Sequence, residues 1–323
     1  IPCLSRSSLA SCSIRSCMFV ISACFVYLLE IVICLPYGWG AVIESWEEYR
    51  LFERTLSDYV DSVKIEPRLK KALKYAISAG GKRVRPLIVL LSGKMCGGSY
   101  ETLMNLALAV EFIHTASLIH DDIIDRAERR RWREALHKKY NLSLALILGD
   151  WLISKSVELT SVYGEEIIRE FSKVGMMMCD GEVMDVYSEE LDEEGYFECI
   201  TKKTAALFAY SAKTACKVVC ADEKAAEKLF EYGLNLGIAY QMVDDLLEYL
   251  GALEDKESQH ASRTILHIYA ESYGDEVKRV VELIKKYSDA SRKALEYFDD
   301  CEEREKLLNI VDYITSRMLL KVI

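Results

Sequence analysis

Apolar residues recur at steps of three and four along nearly all of the chain after Glu44. The stretch ETLMNLALAVEFIHTASLIHDDIID shows the pattern most clearly, because these steps would place its side chains on one continuous helix face. The positions on that face are Leu103, Leu106, Val110, Ile113 and Ser117. The pattern therefore predicts a long helix with one face directed into the protein core.

Similar patterns predict further long helices over residues 142–162, 165–187, 194–219, 223–250 and 275–298. Glycines interrupt the pattern between several of these stretches, and Asp192 and Asp222 stand where N-caps are expected. The sequence has no useful length of the alternating apolar and polar pattern that is typical of a strand. We therefore predict an all-α fold, a single bundle of about ten or more long helices around a central cavity.

Composition agrees with a helical globular domain. Only four of the 323 residues are proline and none follows Pro86, so proline interrupts no helix from Leu87 onwards. The net charge of −10 argues against general binding of nucleic acid, which requires a basic face. The eleven cysteines show no evenly spaced framework, and we expect buried free thiols instead of disulfides.

The first 41 residues differ in character from the rest of the chain. From Cys17 the run CMFVISACFVYLLEIVICLPYGW is nearly all apolar, and Arg6 and Arg15 precede it. This arrangement is typical of a signal peptide or membrane anchor, although Glu30 interrupts a run that is short for a membrane span. We expect residues 1–41 to be an extension outside a folded domain of residues 42–323, in a cytoplasmic protein. Association with a membrane through this segment is the alternative.

Two acidic clusters of matching spacing lie inside apolar helical stretches. In HDDIID, Asp121 and Asp125 are four residues apart and share one helix face, with Asp122 beside them. The second cluster, in QMVDDLLEYLG, consists of Asp244, Asp245 and Glu248. One such cluster is usually solvated surface, but two on separate apolar helices can face each other across a cavity. Carboxylates so placed suit Mg²⁺, which takes oxygen ligands and leaves positions for water and phosphate.

Basic residues form two sets of their own. The segment GGKRVRP contributes Lys82, Arg83 and Arg85 beside paired glycines. The segment ERRRWR contributes Arg129, Arg130, Arg131 and Arg133, directly after the first acidic cluster. Surface ion pairs are one interpretation, and such pairs contribute little to stability. The other is a diphosphate site, because arginine, lysine and Mg²⁺ all bind phosphate oxygens and would bridge them to the aspartates.

These motifs together resemble those of the trans-prenyl diphosphate synthases, of the geranylgeranyl and long-chain type. The family extends an allylic diphosphate with isopentenyl diphosphate. The resemblance covers nearly everything after Val42 and keeps the family's order: GGKRVRP, HDDIID with its arginine pair, GEVMD, KTAALF and GIAYQMVDD. It implies a prenyltransferase with Mg²⁺ as cofactor, and a homodimer that binds no nucleic acid.

The resemblance also implies roles for individual residues. The metal ligands would be Asp121, Asp125 and Asp244, supported by Asp122, Asp245 and Glu248. Isopentenyl diphosphate would be held by Lys82, Arg85, His114 and Arg131. The allylic diphosphate would be surrounded by Arg130, Lys203, Thr204 and Gln241, with Lys256 as a basic residue of the following loop. Without the motifs, His114 would be interpreted as a core histidine, and Lys203, Thr204 and Gln241 as ordinary helix residues.

Three departures from the family pattern are present. Trp132, Arg133, Glu134 and Ala135 stand where Gly-x-Pro-Thr is usual after the arginine pair. Glu248 replaces an aspartate, and the loop after Gly251 is short, with Lys256 and Arg263 as its candidate basic residues. These changes leave the metal ligands in place but affect the expected rate, closure of the site and substrate preference. A non-catalytic partner subunit or prenyl-diphosphate-binding homologue is therefore one alternative, and a class I terpene cyclase is another.

Product length is predicted from the helix that carries the first aspartate motif. The growing chain would pass residues eight, five and four before Asp121, which are Ile113, Ala116 and Ser117. Synthases of short products resemble one another in having an aromatic ring at the four or five position. Because both residues are small here, we expect products of C20 or longer, unless a bulky residue of another helix closes the tunnel.

Overall fold

The computed structural model describes residues 39–219, 222–251, 256–257, 262–272 and 274–319. The helices of its first half are α1 Trp39–Ser45, α2 Glu47–Ser62, α3 Pro67–Ile77, α4 Val84–Met95, α5 Tyr100–Ile124, α6 Leu136–Lys139, α7 Leu142–Ser161 and α8 Glu165–Val186. Those of the second half are α9 Glu193–Ile200, α10 Ala206–Val219, α11 Glu223–Tyr249, α12 Ile265–Ser272, α13 Glu276–Leu295 and α14 Glu302–Leu319. A 3₁₀ turn covers Ser188–Glu190. The all-α prediction is confirmed.

Helix α5 forms the centre of the bundle, packed between α4 and α7. The residues predicted on its core face are buried, except Ser117, which is half-buried. Ser99 caps its N-terminus by accepting a hydrogen bond from the Thr102 amide. The helix is long and apolar enough to cross a membrane, but most of its apolar window is buried inside the bundle. Burial of most of this window in the bundle accounts for its apolar composition.

Helix α11 organises the other half of the bundle, where it packs against α10 and α13. Asp222 caps it by accepting hydrogen bonds from the amides of Lys224 and Ala225, and Asp192 caps α9 through the Gly195 amide. Both predicted N-caps are thus confirmed. A Cβ at Gly237 would lie 2.5 Å from Ala205 Cα, so the glycine permits close packing of the two backbones.

The single helix predicted over residues 194–219 is wrong in one respect. A π-helical segment, Thr201–Ala205, separates α9 from α10. The i→i+5 geometry of this segment leaves no trace in the apolar pattern, which continues across it. The segment contains Lys203 and Thr204, two residues of the predicted substrate site.

Three strands of two residues each, which the sequence pattern did not predict, form a small sheet. Strands β1 Arg129–Arg130 and β2 Arg133–Glu134 make a hairpin, and β3 Lys256–Glu257 pairs with the other edge of β1. The hairpin turn consists of Arg131 and Trp132, both with positive φ (50° and 65°). This is the backbone sign of a two-residue type I′ turn, usually built with asparagine and glycine. The sheet connects the loops that follow the two acidic clusters.

The described residues test the prediction of free thiols but not the prediction of an N-terminal extension. Residues 1–38 lie outside the described residues, so the boundary between residues 1–41 and 42–323 remains a prediction. Within the described residues, five cysteines are free thiols: Cys96, Cys179, Cys199, Cys216 and Cys301. Only Cys199 and Cys216 of these five are buried, so the expectation of burial holds for those two.

Candidate active site

The first acidic cluster lies at the C-terminal end of α5, where the helix dipole disfavours negative charge. Asp122 turns to one side, is 3% exposed, and accepts a hydrogen bond of 2.6 Å from Arg130 Nε. Asp125 is also buried, at the C-cap of the helix. Buried carboxylates at this end of a helix require cations nearby, and Arg130 supplies one of them.

Asp121 faces a different helix, α8. Its carboxyl shares a hydrogen bond with Glu182, and Lys203 and Arg130 are the nearest positive charges. Burial raises the pKa of Asp121, and the neighbouring Asp125 raises it further. Burial and the charge of Asp121 raise the pKa of Glu182 to about 7. The two carboxyls therefore lie in a partly desolvated site where negative charge is costly and a nearby cation is favourable.

The second acidic cluster lies near the C-terminal end of α11. Asp245 is 7% exposed and accepts hydrogen bonds from Tyr196 Oη at 2.6 Å and Gln241 Nε2 at 2.8 Å. Burial, with Asp185 and Asp244 nearby, raises the pKa of Asp245 to about 7. Asp244 is half-buried and is hydrogen-bonded to Tyr240. The supporting role predicted for Asp245 fits this buried, fully hydrogen-bonded position.

Glu248 differs from the other members of its cluster because its side chain is exposed. It lies one helical turn beyond Asp244, at the last turn of α11. The longer side chain can reach further than an aspartate at the same position.

A chain of hydrogen bonds connects the π-helical segment to the second cluster. Thr204 Oγ1 donates to Gln241 Oε1 at 2.7 Å, and the amide of Gln241 donates to Asp245. Each amide atom of Gln241 thus has one partner, which fixes its orientation. Sequence reasoning placed Thr204 and Gln241 around one ligand, and the structure brings the two side chains into direct contact.

The GGKRVRP segment supplies a second basic group. Arg85 is 8% exposed, with its guanidinium 3.1 Å from His114 Nε2 and 4.3 Å from the Phe208 ring centre. Burial and the charge of Arg85 lower the pKa of His114 well below its usual value, so the imidazole is neutral. Asp244 is the nearest acid of the second cluster to Arg85. Lys82 lies 5.8 Å from the ring centre of Tyr240.

Arg131 reaches this second basic group from the hairpin turn. Its guanidinium donates a hydrogen bond to the Gly80 carbonyl, and a Cβ at Gly81 would lie 2.8 Å from Nη1. The φ of +152° at position 81 favours glycine, and the guanidinium of Arg131 lies against that glycine. The predicted grouping of Arg131 with the glycine-rich segment agrees with this contact.

Two basic residues noted in the sequence, Arg83 and Arg263, bind to other parts of the protein and are not members of either basic group. Arg83, also with positive φ (48°), is buried and pairs with Glu53 and Glu111. Arg263 donates to the carbonyls of Glu189 and Leu191, so it supports the loop before α9. The side chain of Lys256 lies outside the described residues, but its backbone pairs with that of Arg130.

The three residues predicted to line the growing chain lie along α5. Ala116 has no exposed surface and Ile113 is 6% exposed, both within the core between α5, α7 and α8. The Ile113 Cδ1 atom would lie 3.9 Å from a Cβ at Gly175 of α8. Ser117 is half-buried, and its hydroxyl donates to the His114 carbonyl. Of these contacts, the one between α5 and α8 joins Ile113 to Gly175, which has no side chain.

Four residues of the site were not singled out from the sequence: Glu182, Asp185, Tyr196 and Tyr240. Glu182 and Asp185 both pair with Lys203, at 2.8 Å and 2.6 Å. The GEVMD motif carried a signal for them, since it places two acids three residues apart on one helix face. No sequence signal pointed to the two tyrosines, whose partners are distant in the chain.

The acidic donors of the site suit Mg²⁺ better than a metal that needs a closed shell of protein ligands. Among residues 39–319 as far as they are described, no three acidic, histidine or cysteine side chains converge closely enough to hold a metal ion alone. Mg²⁺ commonly uses one or two carboxylates and completes its shell with water and substrate phosphates. Asp121 and Asp125, neighbouring acids at the end of α5, fit that mode of binding.

Two acidic helices, each adjoined by its own basic group, are the arrangement expected of an enzyme that binds diphosphates through metal ions. Residues 66–300 match the model of the polyprenyl synthetase family. The chain is 44% identical to a geranylfarnesyl diphosphate synthase of Methanosarcina mazei over 281 residues, 86% of this chain and 95% of the relative. The protein belongs to the polyprenyl synthetase family, as its motifs predicted.

Solved structures agree with this membership. A geranyltranstransferase from Methanosarcina mazei superposes with a TM-score of 0.76 at 43% identity, over 86% of this chain and 99% of that one. A polyprenyl synthase from Caulobacter crescentus, solved with calcium and isoprenyl diphosphate, superposes with a TM-score of 0.74 at 26% identity. That match covers 83% of this chain and 95% of the other.

Proposed function

We propose that this protein is a polyprenyl diphosphate synthase that joins isopentenyl diphosphate to an allylic diphosphate. The observation that carries the proposal is the presence of two separate basic groups. One consists of Lys82, Arg85, His114 and Arg131. The other combines two cations that act on Asp121, Lys203 and Arg130, with the polar side chains of Thr204 and Gln241. A reaction between two diphosphate substrates requires two such groups.

Each basic group has a distinct task in this reaction. Lys203 and Arg130 would hold the allylic diphosphate and stabilise the charge that grows on it as its bond to carbon breaks. Arg85, with neutral His114 as a hydrogen-bonding partner, would orient isopentenyl diphosphate so that its double bond meets the allylic carbon. The released diphosphate is the proposed acceptor of the final proton, since the sequence motifs assign no histidine or carboxylate to that step.

Mg²⁺ is the proposed cofactor, with Asp121, Asp125 and Asp244 as the residues that would hold it. When bound, it would neutralise charge on the diphosphate leaving group. The Caulobacter crescentus relative, solved as a complex with calcium and isoprenyl diphosphate, supports binding of a divalent cation in the family. Asp122 and Asp245, each buried and hydrogen-bonded to a neighbour, would keep the flanking carboxylates in position.

The proposed products contain at least 20 carbons. The support is the small size of the side chains at Ala116 and Ser117, before the first acidic cluster, and the absence of a side chain at Gly175 beside Ile113. The name of the 44% identical relative, geranylfarnesyl diphosphate synthase, supports a product of C25.

A homodimer is the proposed assembly. Helices α7 and α8, which pack together, expose a set of large apolar side chains to solvent. The set consists of Leu142, Leu146, Ile147, Ile153, Val157, Met176 and Val183. An apolar surface of this extent on a soluble protein is typical of an interface between subunits.

One assay separates the proposed function from its alternatives. The purified protein is incubated with labelled isopentenyl diphosphate, a C15 allylic diphosphate and Mg²⁺, and the products are separated by chain length. A synthase incorporates the label into prenyl diphosphates of C20 or longer. A terpene cyclase would release hydrocarbon or alcohol without label, and a non-catalytic homologue would bind the substrates and leave them unchanged.

A further inference from the structure

Lys203 is held between two carboxylates of α8. Its Nζ atom lies 2.8 Å from Glu182 Oε2 and 2.6 Å from Asp185 Oδ2. All three side chains are less than a quarter exposed. Burial alone would lower the pKa of Lys203, but Asp121, Asp185 and Glu182 outweigh it and raise the pKa. The ammonium is therefore firmly charged and already paired inside the protein.

This pairing competes with the role that Lys203 has in the proposed function. An ammonium has three donors, and two of them are directed at Glu182 and Asp185. With Asp121 included, three acidic side chains act on one ammonium, so the local charge is negative even with one proton shared between Asp121 and Glu182. A diphosphate that approaches Lys203 must overcome this negative charge before it gains the ammonium.

The backbone prevents Lys203 from moving away as a unit. A Cβ at Gly181 would lie 2.3 Å from the backbone nitrogen of Lys203, so α8 and the π-helical segment are in direct contact there. Only the side chain of Lys203 can change its partner. Glu182 has a further contact, the hydrogen bond to Asp121, and therefore lies between the first acidic cluster and the lysine.

We propose that Glu182 is a positioning residue that sets the affinity for the allylic diphosphate, because it retains Lys203 in the ligand-free enzyme. The inference rests on the proposed function for the identity of the ligand. Asp185 keeps Lys203 oriented in the site. Glu182 is the carboxylate that the diphosphate must replace as the partner of the Lys203 ammonium.

The test is the Glu182→Gln variant, which preserves the shape of the side chain and removes its charge. Binding of inorganic diphosphate is measured by calorimetry at pH 8 and one saturating Mg²⁺ concentration. The variant should bind at least roughly fourfold more tightly, the effect of one unit charge about 5 Å away even at the dielectric constant of water. In the condensation assay the KM for the allylic diphosphate should fall similarly, while the KM for isopentenyl diphosphate stays the same.

Two controls show whether the effect passes through Lys203. Asp180→Asn removes an exposed charge from the same helix and should leave diphosphate affinity unchanged. In a Lys203→Met background, Glu182→Gln should have a clearly smaller effect than in the wild-type protein. Equal effects in the two backgrounds would mean that Glu182 acts on the ligand directly, and the inference would be wrong.

Weaker or unchanged diphosphate binding by Glu182→Gln would also overturn the inference. Weaker binding would indicate that Glu182 serves as a metal ligand. The calorimetric result does not depend on turnover, so an inactive wild-type protein would contradict the proposed function and leave the test of Glu182 intact.

Discussion

Arg85 and His114 lie 3.1 Å apart, with the guanidinium directed at Nε2 of the imidazole. Because arginine only donates, Nε2 must accept, and the proton of the neutral ring is then on Nδ1. The two residues come from α4 and α5, so the contact also fixes one helix against the other. A second positive charge on the imidazole would face the arginine directly.

The first prediction is that acid weakens the fold through His114. A histidine whose pKa is depressed in the folded state contributes stability that is complete above the unfolded value and is lost as the pH falls below it. With an unfolded pKa near 6.5, the loss should be about 1.4 kcal/mol for each pH unit below that value, until the folded pKa is reached. His114→Gln should lack this contribution.

Urea denaturation of both proteins between pH 5 and pH 8 measures the effect. The difference in free energy of unfolding between wild type and His114→Gln should move in favour of the variant as the pH falls. A difference that is constant with pH would show that His114 has the same pKa in the folded and unfolded protein, and would contradict the prediction.

The second prediction concerns metal dependence. Asp121→Asn and Asp244→Asn preserve side-chain volume but each remove one proposed ligand charge. Turnover should fall by about 10²-fold or more in either variant, since stabilisation of transition-state charge is usually the largest catalytic term. Asp58→Asn, an exposed position on α2, is the matched control and should retain full activity. Near-normal turnover in either site variant, at any Mg²⁺ concentration, would show that the substituted aspartate is not a metal ligand.

The third prediction concerns product length. Ala116→Phe should shorten the main product, because the ring fills volume that the growing chain would occupy. Ala116 is fully buried, so a failure of the Ala116→Phe variant to fold would leave that variant uninformative. Ser117→Phe, at the half-buried neighbouring position, is therefore the second variant and should also shorten the main product. Chromatography of the dephosphorylated products gives the distribution. Release of C15 by the wild type, or an unchanged distribution in both folded variants, would contradict this account of the tunnel.

The fourth prediction concerns association. Ile147→Lys places a charge in the exposed apolar face of α7 and should shift the protein from dimer to monomer in sedimentation velocity at micromolar concentration. Tyr297→Lys, an exposed apolar position after α13, should leave the sedimentation coefficient unchanged. A wild-type protein that sediments as an active monomer would exclude the dimer.

The sequence predicted helices and acidic clusters well because both are local patterns. The spacing of Asp121 and Asp125 is a property of five consecutive residues, and an apolar stripe needs only one helix. Tyr196 and Asp245 are 49 residues apart, so their contact depends on how α9 docks on α11. The role of Arg83 could not be predicted from sequence either. Its position in a basic motif does not indicate that it forms ion pairs with Glu53 and Glu111.

The π-helical segment Thr201–Ala205 also has a consequence for how this protein tolerates insertions and deletions. It holds a surplus residue within an otherwise continuous helical run from Glu193 to Val219. Deleting one residue there would restore regular α-helical winding and leave α9 and α10 in phase, because the bulge absorbs its surplus residue locally. The same deletion one turn into α10 would instead rotate the rest of that helix by about 100°.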